Sequence, residues 1–302
     1  MTEAGGAPRL DVDDWRERLP HLLGGAAFLW LFWEPMVTLG RDWWSDPEAG
    51  HGLLLGPLAG YLIWKSGLAD NRDGQRVLGL AILAAAILLR VASALAAELF
   101  TMRMSLLGAA AGLVVYVWGF RQMLRWWLPA TLLVLSVPLP SVVLSSLAFP
   151  LQLRASEMGA AMLQWRDVPV LLSGNIIHLP GQSLFVTEAC SGLRSLTALI
   201  SLGVLMGGLW LRTPALRGLL LLVTIPVAMV INGGRIFLTG FLVYFVDPAL
   251  GDGFMHYTEG WALFVVAFAI LGLMTWGLSS AEQRVGRRLP TEPLDSTEEA
   301  LA

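Results

Sequence analysis

Cysteine and charge are both scarce in this chain. Its 302 residues include one cysteine, Cys190, which excludes an intramolecular disulfide and any multi-cysteine metal site. Charged residues make up only 14% and apolar residues 56%, a composition outside the range of soluble domains. The composition therefore predicts an all-α polytopic membrane protein. The net charge of −3 offers no basic surface, so we expect no nucleic-acid partner.

Apolar runs define the predicted membrane segments. A helix needs about 20 mostly apolar residues to cross the bilayer, and the sequence predicts eight such spans: 21–40, 52–68, 76–97, 103–120, 127–147, 191–211, 217–245 and 257–279. We divide the chain into an N-terminal segment (1–20), a transmembrane domain (21–280) and a disordered acidic tail (281–302). The N-terminal segment lacks the basic start of a secretory leader, so we expect no cleaved signal.

Basic residues between the spans predict the topology. Most fall on one side of the predicted membrane, and four fall on the other: Arg41, Arg103, Arg154 and Arg166. Excess Lys and Arg mark the cytoplasmic side. We therefore expect a multi-pass protein with both termini in the cytoplasm.

The same alternation places one long segment, 148–189, outside. Its first part, 151–165, has apolar residues at helical spacing with charges between them, which predicts an interfacial helix on the membrane lipid. The part from 168 to 186 has short β-type runs separated by Ser173–Asn175 and Pro180–Gln182, which predicts a small β-ribbon. Cys190 follows this ribbon directly.

Cys190 and Arg194 are one helical turn apart at the predicted start of a span. A cation and the positive end of the helix dipole both favour a thiolate. A lone cysteine is more often an inert packing residue. For Arg194, a position with its charge at the membrane interface is as good an explanation as a role beside the thiol.

Arg235 lies deep in the seventh predicted span, and His256 lies at the outer start of the eighth. A buried arginine in a membrane helix costs several kcal/mol and needs a partner or a wet cavity, although snorkelling is an alternative. A histidine can move a proton near neutral pH. Asn232 either holds these groups by hydrogen bonds or only bridges helices. The charge count places Cys190, Arg235 and His256 toward the outer ends of three spans, which favours a common site.

Three ordered motifs carry a family resemblance. They are Thr187–Ser195 (TEACSGLRS), Asn232–Ile236 (NGGRI), and His256 with Gly260. Together they resemble the exosortase/archaeosortase family of polytopic transpeptidase-like enzymes, with the family's Cys, Arg and His at Cys190, Arg235 and His256. His51-Gly52 and Pro138-Leu139-Pro140 resemble two further family elements.

The resemblance implies a cysteine peptidase or transpeptidase without a metal or other cofactor. Such an enzyme cleaves exported proteins at a C-terminal signal, a PEP-CTERM-like motif followed by a membrane helix and basic residues, and passes the new carboxyl end to an unknown acceptor. Cys190 is then the nucleophile that forms a thioester. Arg235 is the oxyanion donor and His256 the acid–base group. Arg194, Asn232, Ser191, Gly192 and His51 are supporting residues. The implied location is the bacterial inner membrane, with the site on the periplasmic face.

A different class of function stays open. Eight spans with buried arginine and an outer histidine also suit an anion transporter or channel, with Arg194 and Arg235 lining its path. An envelope-assembly subunit needs no reactive residue at all. Replacing Cys190 by serine separates these readings, because a transporter tolerates serine and a thioester enzyme does not.

Overall fold

A computed structural model describes residues 12–46, 49–70, 73–186, 193–251 and 254–288, and in this part the chain is mostly helical. The helices are α1 (Val12–Ser45), α2 (Gly52–Ser66), α3 (Arg76–Leu95), α4 (Leu99–Trp118), α5 (Phe120–Arg125), α6 (Trp127–Leu135), α7 (Ser141–Trp165), α8 (Leu193–Trp210), α9 (Pro214–Phe245) and α10 (Phe254–Arg288). The strands are β1 (Leu171–Ser173), β2 (Ile176–Leu179) and β3 (Gln182–Phe185). The helical membrane architecture with a small ribbon is therefore confirmed.

Five described helices are long and apolar enough to cross a membrane. They are Leu22–Ser45, Arg76–Leu95, Leu99–Trp118, Pro214–Phe245 and Ala262–Arg284, and the stretch Leu196–Trp210 is apolar but shorter. The predicted count of eight is not confirmed. The second predicted span, 52–68, forms a helix of only 15 residues, about 22 Å at 1.5 Å per residue, which is shorter than the hydrocarbon core.

The fifth predicted span, 127–147, is interrupted. Residues 136–140 separate α6 from α7, because Pro138 and Pro140 lack the amide hydrogen and each disfavours a helical conformation at the residue before it. The predicted interfacial helix, 151–165, is accordingly the C-terminal part of the 25-residue α7. At the other end of the chain, α10 extends through Arg288, into the tail predicted to be disordered.

The chain forms two compact units, and the first comprises Met1–Leu53 and Leu68–Leu124. In it α3 and α4 pack closely as a hairpin: a methyl group built on Gly79 would lie 2.5 Å from Tyr116 Cα. Glu98 begins α4 by accepting hydrogen bonds from the amides of Phe100 and Thr101, at 3.0 and 2.7 Å, and from the Thr101 hydroxyl. Donation from Thr101 lowers the pKa of Glu98.

The second unit comprises Leu54–Gly67 and Arg125–Ala302. Here α8, α9 and α10 share a core that includes Leu199, Ala228 and Ala267. A separate core joins α7, the sheet and α9. The three strands form an antiparallel sheet in the order β1-β2-β3. Two-residue turns at Gly174-Asn175 and Pro180-Gly181 connect them, which confirms the ribbon predicted from those turn residues.

Candidate functional site

Asn232 and Arg235 both lie on the helix α9. They are three residues apart and therefore lie on the same face of the helix. Asn232 is buried. Arg235 is partly buried, and its Nε atom has no contact with solvent. Thr239 Oγ1 donates to the Arg235 carbonyl at 3.0 Å. A guanidinium in this apolar helix is costly unless polar groups or water surround it.

The register between α8 and α9 shows where Arg235 lies along the helices. A methyl group built on Gly207 would lie 3.5 Å from Leu220 Cδ2, and one built on Gly203 would lie 3.0 Å from Thr224 Oγ1. The two contacts run in opposite directions along the two helices, so α8 and α9 are antiparallel. Continuing this register brings Gly234 level with Leu193, the first residue of α8. Arg235 therefore lies beside the start of α8.

The helix α10 runs parallel to α8. Thr275 Oγ1 contacts Met206 Sδ at 3.8 Å, and the Thr213 amide donates to Glu282 Oε1 at 2.6 Å, with the same sequence separation of 69 residues in both pairs. This register brings Ala262 level with Leu193. His256, the third residue of α10, is then about 9 Å further along the axis, at 1.5 Å per residue.

Glycines set the contact between α7 and α9. A methyl group on Gly233 would lie 2.9 Å from Met158 Cβ, and one on Gly240 would lie 2.7 Å from Leu163 Cδ1; Gly159 is in similarly close contact with Ile236. These pairs advance together, so α7 and α9 are parallel and end near the same level. Small residues allow this close approach, which brings the end of α7, and the sheet after it, to the end of α9.

Asn175 holds the chain where it leaves the sheet toward Cys190. The Val186 amide donates to the Asn175 carbonyl at 3.0 Å, and Asn175 Nδ2 donates to the Val186 carbonyl at 3.0 Å. Val186 is 3% exposed and belongs to the same buried cluster as Ile236, the residue after Arg235. Sequence reasoning missed this role of Asn175, because the asparagine was only part of a turn signal.

The predicted site residues thus differ in what the structure says of them. Cys190, Ser191 and Gly192 lie outside the described residues, between Val186 and Leu193. The backbone of Arg194 is in the first turn of α8 and that of His256 in the first turn of α10. The structure brings the starts of α8 and α10 and the Arg235 region of α9 to one end of the second unit, which we call the sheet end.

His51 belongs to the first unit, immediately before α2. Gly52 is in contact with the Trp43 indole, and a side chain at position 52 would occupy the same space as the ring. The His51-Gly52 element therefore has a local packing role through its glycine. Among the described residues, no three His, Cys, Asp or Glu side chains are grouped to hold a metal ion.

Comparison with known proteins gave one match. A family model described as transmembrane exosortase matches residues 43–273, which is most of the chain and covers parts of both units. Neither the curated proteins nor the solved structures contain a significant match.

Proposed function

Because the chain belongs to the transmembrane exosortase family, a family of membrane cysteine-type transpeptidases that sort proteins, we propose that Cys190 is its nucleophile. In this proposal the Cys190 thiolate attacks the carbonyl carbon of one peptide bond in a C-terminal sorting signal. A C–S bond forms, the C–N bond breaks, and the leaving amine takes a proton. The thioester then reacts with an acceptor nucleophile or water, which regenerates the thiol.

The observation that supports this site is the register at the sheet end. Arg235 is level with the start of α8, and Cys190 precedes that start by three residues. A residue adds at most about 3.6 Å to an extended chain, so Cys190 is tethered within about 11 Å of Leu193. The chain length from Val186, the last described residue before Cys190, limits the position of Cys190 in the same way. Leu193 is level with the Arg235 region by the helix register, and Val186 belongs to the buried cluster that contains Ile236.

Arg235 has the role of oxyanion donor in this mechanism. Its planar guanidinium offers several N–H donors, and a charge is most effective where water is excluded. The buried Nε and the buried neighbour Asn232 support such an environment. Asn232 holds the guanidinium in place, and Arg194, in the first turn of α8, favours the thiolate.

His256 has the role of proton carrier. It takes the thiol proton before attack and gives a proton to the leaving amine. Its backbone is about 9 Å beyond the start of α8, on the helix that packs along α8, and Cys190 also lies beyond that start in sequence. Ser191 and Gly192, the two residues after Cys190 in sequence, have supporting roles in this proposal.

The substrate class follows from the family. Proteins with C-terminal sorting signals are the substrates, and we assign a PEP-CTERM-like motif before a membrane helix and a basic end. A site at the outer face of the bacterial inner membrane, with both termini cytoplasmic, suits exported substrates. The acceptor is unassigned.

Processing of a tagged signal-bearing protein tests the proposal. Cells that carry Cys190→Ala or Cys190→Ser should contain only the unprocessed substrate, while the enzyme reaches the membrane in normal amount. The control is Ser145→Ala, an exposed hydroxyl on α7 that donates only within its own helix, which should process normally. Normal maturation with Cys190→Ala contradicts the thioester mechanism, and normal maturation with Cys190→Ser favours a role without a reactive thiol.

A further inference from the structure

The strand β3 has a free edge. It pairs with β2 on one side, and in the described part of the chain no strand pairs with its other side. The opposite edge of the sheet differs, because α7 lies next to β1 and Gln164 Nε2 donates to the Val170 carbonyl just before that strand. The two edges of the sheet are therefore not equivalent.

The pairing register identifies the backbone groups on this free edge. Gln182 pairs with Leu179 across a two-residue turn, and such a closing pair is hydrogen-bonded. Val186 is also bound toward β2, through Asn175. Hydrogen-bonded and non-hydrogen-bonded pairs alternate along an antiparallel ladder. The amides and carbonyls of Ser183 and Phe185 therefore point away from β2, toward the free edge.

Ser183 and Phe185 are two residues apart, which is the repeat at which one extended chain bonds to another. Both are exposed, and the Phe185 side chain is 61% exposed. An unpaired strand edge is a template for an added strand, and many peptide-binding domains bind their ligands in this way. The edge is four residues long, about 14 Å.

One end of β3 lies at a cavity, and from the other end the chain continues in sequence to Cys190. At the turn before β3 there is a cavity of about 220 Å³, which is lined by Leu179–Gln182, by Val243–Val246 at the end of α9 and by Pro248. At the other end of β3, Cys190 follows Phe185 by five residues. A peptide bound along β3 would therefore have one end next to the cavity, which can receive a side chain. Its other end would lie at the end of β3 from which the chain continues to Cys190.

We infer that the free edge of β3 binds the sorting peptide of the substrate as an added strand, with the cavity receiving a side chain at one end. This inference rests on the function proposed above. The occupant is an extended peptide because the edge offers main-chain donors and acceptors in the spacing of a β-ladder. Specificity then comes from the cavity, and the main chain supplies sequence-independent affinity.

Disulfide cross-linking tests the inference without any need for cleavage. Cys190→Ala removes the only cysteine, so Ser183→Cys on β3 and Ser173→Cys on β1 each give a chain with a single thiol. The two serines are both exposed and share one face of the sheet, which makes Ser173→Cys the matched control. The probe is a tagged signal-bearing protein with single cysteines at successive positions before its membrane helix. A disulfide needs Cα atoms within about 7 Å of each other. The Ser183→Cys chain should therefore cross-link to the probe about tenfold more than the Ser173→Cys chain does, and at alternate positions of the substrate.

Substitutions at Phe185 test the main-chain contact in the enzyme that keeps Cys190. Phe185→Pro removes the outward amide, and Phe185→Ala removes the side chain but keeps the amide. Proline is tolerated at an edge strand where the amide is not bonded. Phe185→Pro should raise the substrate concentration for half-maximal cleavage about five- to tenfold above that of Phe185→Ala, with similar rates at saturation.

Each outcome decides a separate point. Processing by the wild-type enzyme with equal cross-linking from positions 173 and 183 overturns strand addition alone. Cross-linking from position 183 with no processing by the wild type supports docking and contradicts the cleavage reaction. Absence of both overturns both proposals. Equal protection of both thiols from a water-soluble maleimide in liposomes without substrate would mark the face as lipid-bound and would also overturn the inference.

Discussion

Arg103 Nη2 donates to Asp42 Oδ2 at 2.6 Å and joins α4 to α1 in the first unit. The Arg103 side chain is 4% exposed and that of Asp42 is 30% exposed. Both residues lie in helices that are long and apolar enough to cross a membrane. In such a setting a charge that loses its partner stays buried, so the pair matters more than a surface ion pair does.

Asp42→Asn should lower the free energy of unfolding by about 3 kcal/mol, because it leaves the Arg103 charge buried and uncompensated. The measurement is thermal unfolding of the purified protein in detergent. The control is Glu157→Gln: Glu157 pairs with Arg154 at 2.9 Å, and their side chains are 52% and 68% exposed, so the loss of this pair should cost less than about 1 kcal/mol. Equal effects of the two substitutions would contradict the argument from burial.

Arg235→Lys should reduce the cleavage rate about 10²- to 10³-fold if the guanidinium stabilises an oxyanion, because lysine keeps the charge but loses the planar donors. Cleavage of a signal-bearing protein in proteoliposomes measures the change. Arg154→Lys is the control, since Arg154 is an exposed member of a pair with Glu157 on α7 and its replacement should be neutral. Wild-type cleavage by Arg235→Lys would remove Arg235 from the mechanism.

His256→Ala should slow turnover and change its pH dependence if, as proposed, this residue takes and gives the proton. If the thiolate forms beside Arg194 without a base, the thioester still accumulates. Trapping of a substrate adduct on Cys190, released by hydroxylamine, measures this. The double substitution Cys190→Ala with His256→Ala should give no adduct, and an adduct there would place the covalent bond elsewhere.

Asn175→Ala should reduce cleavage about fivefold, because one of the two hydrogen bonds that hold Val186 before the Cys190 segment is lost. Gln164→Ala removes a similar amide-to-carbonyl bond, at 3.4 Å to Val170, on the β1 side of the sheet. It should leave cleavage unchanged. An equal loss in both variants would point to general destabilisation of the sheet.

The topology has its own test. A membrane-impermeant maleimide added from outside should label the single thiol at Cys190, and reporters for the outer compartment should be inactive at either terminus, following the basic-residue count. An active outer reporter fused after Ala302 would contradict the predicted orientation.

Much of the fold was predictable from local sequence. Apolar runs of sufficient length identified the segments that became α1, α3, α4, α9 and α10. The turn residues at Gly174-Asn175 and Pro180-Gly181 identified the sheet, because glycine at positive φ is easily accommodated there. These features depend on a few neighbouring residues, so one sequence suffices to find them.

The errors came from effects that hydropathy does not contain. The run 127–147 is mostly apolar and carries no charge, yet Pro138 and Pro140 end α6 at Leu135. For the site, the sequence supplied the residue types but not the register. The alignment of Gly234 with Leu193 depends on contacts such as Gly203 with Thr224, which are distant in sequence and carry no local signal.

Because the register among α8, α9 and α10 is fixed, the number of residues along each helix determines the level at which the site residues lie. One residue inserted between Thr224 and Arg235 would turn the guanidinium by about 100° and move it by about 1.5 Å, while every contact nearer the start of α9 stayed in place. The hydrogen bond from the Thr213 amide to Glu282 fixes the same register at the opposite end of these helices. Insertions and deletions during evolution should therefore accumulate in connections such as 67–75, whereas the number of residues from Thr213 to Arg235 should stay constant even where their identities change.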